Sequence, residues 1–112
     1  MPEIRLDITT TDAGAIAALL GTNRARSGEQ FPVADGVSVG LAPIQNLQEA
    51  AGAAVINLVI MMAAGVPPGV VAAYLYDKLT GRSITKLRIN RRVTELDAGE
   101  ITRVIEETIE AE

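Results

Sequence analysis

Hydrophobic and polar positions alternate at the start of the chain. Ile4, Leu6 and Ile8 interleave with Glu3, Arg5 and Asp7, the two-residue period of a half-buried strand. Thr-Thr-Thr-Asp at 9–12 then offers capping oxygens for a short helix from Ala13 to Leu20, with Ile16, Leu19 and Leu20 on its apolar face and Gly21 closing it. Residues 22–32 are polar, contain Gly28 and Pro32, and read as a loop. Val37, Val39 and Leu41 alternate again and predict a second strand ending before Pro43.

The middle of the chain changes character. Between Glu49 and Asp77 there is no charged residue. Asn46 followed by Glu49 resembles a capping box, and the pattern predicts a helix over 46–64. Pro67-Pro68 must interrupt it, because proline removes an amide donor and clashes with the preceding turn. Proline is well placed in a first turn, so a second helix is expected over 67–80.

The first of these helices would be apolar on every side, with Leu58 and Met62 on one face, Ile56 and Ile60 on another, and Val55 and Val59 between. Such a helix is buried all round, and a small sheet covers only one side. A second copy is the simplest cover for the rest, which nominates Val55, Leu58, Val59, Ile60 and Met62 as self-association residues and predicts a homo-oligomer. Insertion of residues 50–76 into a membrane is the alternative. Against it stand Asn57, the proline break, and a first arm only about 22 Å long at 1.5 Å per residue.

After the helices, Ile84–Ile89 and Val93–Leu96 predict a hairpin. A three-residue loop, Asn90-Arg91-Arg92, would set Ile89 opposite Val93, whereas a two-residue turn would set Ile89 opposite Arg92; matching apolar with apolar favours the former. Asp97 and Glu100 then cap a last helix, whose Ile101, Val104, Ile105 and Ile109 form one stripe. The expectation is a single α+β domain over residues 1–112, in the order β-α-β-α-α-β-β-α, with a long broken apolar helix packed on a small sheet.

Composition narrows the chemistry. The chain has no histidine and no cysteine, which removes the commonest general base, the usual zinc ligands and thiolate nucleophiles. Aromatics are only 3%, so aliphatic residues must fill the core. Asp7, Asp12 and Asp35 have no diagnostic spacing, and the Gly21–Gly28 loop lacks the Gly-Lys-Ser/Thr ending of a phosphate loop. No catalytic, cofactor or metal site is expected. No basic segment leads into an apolar run near Met1, so a cytoplasmic location is expected in place of secretion.

The net charge of −4 is unevenly spread. Residues 77–92 hold six basic side chains against Asp77, and residues 93–112 hold seven acidic ones against Arg103. Lys86, Arg88, Arg91 and Arg92 on the predicted hairpin form a candidate partner-binding cluster. Without interleaved aromatics, nucleic acid is a poor fit to it. An acidic protein surface fits better, including the last helix of a neighbouring copy in a head-to-tail contact.

The run Tyr74-Leu75-Tyr76-Asp77-Lys78-Leu79, then Ile84-Thr85-Lys86-Leu87-Arg88-Ile89-Asn90, then Arg91-Arg92-Val93-Thr94-Glu95-Leu96 and an acidic helix, resembles the effector-associated constant component domains of bacterial conflict systems. The resemblance covers residues 45–110, with Arg91 standing where a glycine would be usual. It implies a non-enzymatic adaptor that recruits or assembles an effector protein, and it carries no functional residue across.

Overall fold

A computed structural model describes residues 3–12, 14–21, 26, 28–42 and 54–110. Its elements are β1 (Glu3–Thr10), α1 (Ala15–Leu20), β2 (Phe31–Ala34), β3 (Val37–Leu41), β4 (Ala54–Met62), α2 (Pro68–Leu79), β5 (Ile84–Ile89), β6 (Arg92–Thr94) and α3 (Ala98–Glu110). The six strands form one antiparallel sheet in the order β2-β3-β4-β1-β5-β6. The expected α+β class therefore holds, while the expected element order does not.

The main correction is at β4. The helix expected over 46–64 is replaced across 54–62 by a nine-residue strand that pairs with β1 on one side and β3 on the other. The expected cap at Asn46 and Glu49 lies outside the described residues. Val55, Ile56, Val59 and Ile60 are β-branched, and their χ1 stiffness favours an extended backbone over a helix. Alternate residues Ile56, Leu58, Ile60 and Met62 enter the core beside Ile4, Leu6 and Ile8 of β1. The continuous apolar run is that of a central strand, shielded on one face by helices and partly covered on the other.

The second helix appears where expected. Pro68 occupies its first turn and Thr80 ends it, followed by Gly81 at φ +80°. The uncharged stretch is thus split into a strand and a 12-residue helix. Among the described residues, no helix is long and apolar enough to cross a membrane.

The three described helices pack on one face of the sheet, leaving the other free of helices among the described residues. Leu19 and Leu20 of α1, Val71, Ala72, Leu75 and Leu79 of α2, and Ile101, Val104 and Ile105 of α3 join the inward residues of the strands in one cluster. Asp97 caps α3 by accepting the Glu100 amide at Oδ2, 2.9 Å away, as its position in the sequence predicts.

Strand β2 begins inside the stretch read as loop, at Phe31 and Pro32, and its hairpin with β3 turns at Asp35-Gly36, with Gly36 at φ +76°. Pro32 sits on this edge strand, where a missing amide costs no ladder bond. Just before β2, Glu29 lies close against the helix-free face. A Cβ on Gly40 would stand 1.8 Å from the Glu29 carbonyl oxygen, so glycine alone permits that approach. Val59, opposite Gly40, is buried despite facing away from the helices.

Candidate binding surface

The register of β4, β1, β5 and β6 determines which side chains share the helix-free face. Asn57 stands opposite Asp7, Asp7 opposite Arg88, and Arg88 opposite Val93. The neighbouring row aligns Val55, Thr9 and Lys86, and on the other side Val59 aligns with Arg5. The face is therefore mixed. Its β4 portion is apolar apart from Asn57, and its β1–β5–β6 portion carries Glu3, Arg5, Asp7, Lys86 and Arg88, with Val93 opposite Arg88. That valine is 64% exposed, the most open of the large hydrophobic residues described.

Hairpin β5–β6 corrects the expected loop. Its turn has two residues, Asn90 and Arg91, both with positive φ (49° and 70°), and Ile89 pairs with Arg92. Two consecutive left-handed residues make a type I′ turn, whose twist suits an antiparallel hairpin. The penalty of placing Arg92 opposite Ile89 is avoided because β6 is an edge strand. There the Arg92 side chain reaches past the core to Glu107 of α3. Asn90 extends the pairing: its amide donates to the Arg5 carbonyl at 2.9 Å, and its Oδ1 accepts the Arg5 amide at 2.9 Å.

The four hairpin cations thus divide. Lys86 and Arg88 are exposed on the helix-free face, Arg91 is exposed at the turn, and Arg92 is turned to the helix side. Arg5 joins the first three. An open notch of about 430 Å3 is lined by Glu3, Arg5, Asn90 and Arg91. A larger groove of about 670 Å3 opens where β6 stops, lined by residues that include Ile84, Lys86, Leu87, Val93, Leu96 and Glu100. Arg5 was legible as an outward residue of the first strand, but only the β1–β5 pairing reveals that it belongs with the hairpin.

Pairing of charge separates the two sides of the sheet. Arg82 bonds Asp12 at 2.9 Å, Arg92 bonds Glu107, Arg103 lies between Glu100 and Glu107, and Lys78 is 3.9 Å from Asp77. Donation from Arg92 holds the Glu107 carboxyl below its ordinary range. The Gly14 amide and Arg82 do the same for Asp12. Among the described residues, Arg5, Lys86, Arg88 and Arg91 enter no salt bridge, nor does Arg26 in the segment before β2. Asp7, the acid nearest Arg88 in register, accepts a hydrogen bond from Asn57 Nδ2 instead.

The residues nominated for self-association are placed differently. Leu58, Ile60 and Met62 are at most 1% exposed and are enclosed by the chain's own helices, so they offer no surface to a second copy. Val59 is buried opposite Gly40, and Val55 is half-buried on the helix-free face. As a strand, this stretch has its helix-side residues covered within the chain, so those residues no longer call for a second copy.

The three aspartates do not gather. Asp7 is engaged by Asn57, Asp12 by Gly14 and Arg82, and Asp35 sits in the β2–β3 turn. No group of three or more potential metal-ligating side chains occurs among the described residues. Comparison with family models, with curated proteins and with solved structures finds no match.

Proposed function

We propose that this chain is a non-enzymatic interaction domain, an adaptor that engages an acidic protein surface with the helix-free face of its sheet. The observation that carries this reading is the segregation of unpaired cations. Lys86 and Arg88 stand beside the exposed Val93 and Arg5 and Arg91 lie toward the turn, all four without a salt bridge, while the described cations on the helix side have carboxylate partners. Free cations beside an apolar patch suit a partner that supplies both carboxylates and aliphatic contact.

The turn adds support. Arg91 holds a left-handed conformation that glycine would adopt without strain. Backbone strain of this kind persists where the surrounding structure enforces it and clusters at functional sites. The resemblance to effector-associated constant component domains points the same way, toward recruitment of an effector in a bacterial conflict system. An adaptor of that kind would act in the cytoplasm, and the lack of cysteine suits a reducing compartment.

A labelled peptide alternating glutamate with valine tests the surface by fluorescence anisotropy at low salt. Binding by the native chain, lost in Lys86→Glu/Arg88→Glu and unaffected by Lys78→Glu on α2, supports the reading. Absence of binding, or equal loss with Lys78→Glu, overturns it.

A further inference from the structure

The chain carries an acidic surface of its own on the side opposite the cations. Helix α3 buries Ile101, Val104 and Ile105, which leaves Arg103, already paired with Glu100 and Glu107, exposed on its outer face together with Glu106 and Glu110. Neither Glu106 nor Glu110 enters a salt bridge among the described residues. Their four-residue separation on a helix is about 6 Å. Lys86 and Arg88, two residues apart on β5, are separated by about 7 Å. The two exposed pairs are opposite in charge and similar in spacing.

Within one chain they cannot meet, because α3 packs on the covered face and the cations lie on the other. The pairing of Arg92 with Glu107 shows that hairpin and helix are chemically matched where they do touch. We infer that the chain associates head to tail, with the outer face of α3 from one copy lying across Lys86, Arg88 and Val93 of the next. This rests on the reading of the helix-free face as a binding surface and names its occupant. The two surfaces differ, so the contact is heterologous and each copy can take one neighbour at each surface, building a ring where the rotation closes and an open array where it does not. Exposed ion pairs are individually weak, so assembly should be concentration-dependent and sensitive to salt.

Sedimentation velocity on the full chain tests this. At low salt the average mass should rise with concentration, and at 1 M salt, where the Debye length is about 3 Å, it should return to that of one chain. Glu106→Lys/Glu110→Lys alone, and Lys86→Glu/Arg88→Glu alone, should each remain single chains. Mixing the two should restore association, since both contacts then join opposite charges. Circular dichroism checks that each variant folds, and Lys86→Gln/Arg88→Gln replaces the reversal if it does not. A native chain that stays single at low salt and high concentration overturns the inference, as does a mass that either reversal leaves unchanged. If the chain stays single yet binds the acidic peptide, only the occupant is wrong; failure of both removes the binding face as well.

Discussion

Tyr74 is a residue whose energetics run against its neighbours. It lies on α2, packed against the core, and its hydroxyl is buried without a hydrogen-bond partner among the described residues. Burial pushes its pKa up to about 12, because the phenolate would lose its hydration there. A buried hydroxyl with no partner costs free energy that phenylalanine does not. Tyr74→Phe should therefore raise stability at neutral pH, by up to about 1 kcal/mol given how little an unpaired hydroxyl gains from folding. The pH dependence has a definite direction. The folded value lies above the unfolded one near 10, so stability is full below pH 10 and falls as the pH rises toward 12. Urea midpoints at pH 9 and pH 11 should show a smaller decline in Tyr74→Phe than in the native chain. An equal decline would mean that Tyr74 does not govern this range.

At the scale of elements, β4 shows why sequence and structure diverge. Residues 55–62 are apolar at every position except Asn57, so neither a helical stripe nor a strand alternation stands out. The β-branched residues in that run were the available signal for a strand. The preceding Ala-rich segment and the cap-like Asn46 and Glu49 favour a helix locally, and pairing with β1 and β3 overrides that preference. Strand β1, α2 and α3 were legible because each carries its own periodicity or punctuation. Strand β2 was hidden by Pro32, although Asp35-Gly36 before Val37 is a turn signal between strands. Lys86, Arg88 and Arg91 were legible as a cluster, whereas separating them from Arg92 required the hairpin register. That register rests on Asn90 and Arg91, and it yields a prediction. Arg91→Gly should stabilise the chain by about 1 kcal/mol, by relieving a left-handed arginine at a position type I′ turns give to glycine. The same change removes one of the free cations, so affinity for the acidic peptide should fall while the urea midpoint rises. A variant that loses stability would show that the Arg91 side chain supports the fold.

Across the whole molecule, two ion pairs tie distant parts of the chain together. Asp12, just past β1, bonds Arg82 in the turn between α2 and β5, beside the Thr10 hydroxyl donating to the Ser83 carbonyl at 2.8 Å. Glu107 of α3 bonds Arg92 of the edge strand β6. One pair anchors the first strand to the helical layer's exit, and the other fastens the last helix to the sheet. Asp12 is held below its ordinary range chiefly by the Gly14 amide and then by Arg82. For Glu107 the cause is Arg92. Both carboxyls thus release protons more readily in the folded chain than in the unfolded one. As the pH falls below their ordinary values of 3.8 and 4.5, the unfolded chain takes up protons first, and the stability contributed above that range is lost through the lower folded values. Asp12→Asn/Glu107→Gln keeps the side-chain shapes while removing both charges, and the substituted amide's oxygen can still accept the Gly14 backbone N–H. Chemical denaturation should therefore find the variant less stable than the native chain at pH 7 and nearer to it at pH 3. Parallel losses in the two proteins would mean that other carboxylates govern acid unfolding, and that these two ties act through packing alone.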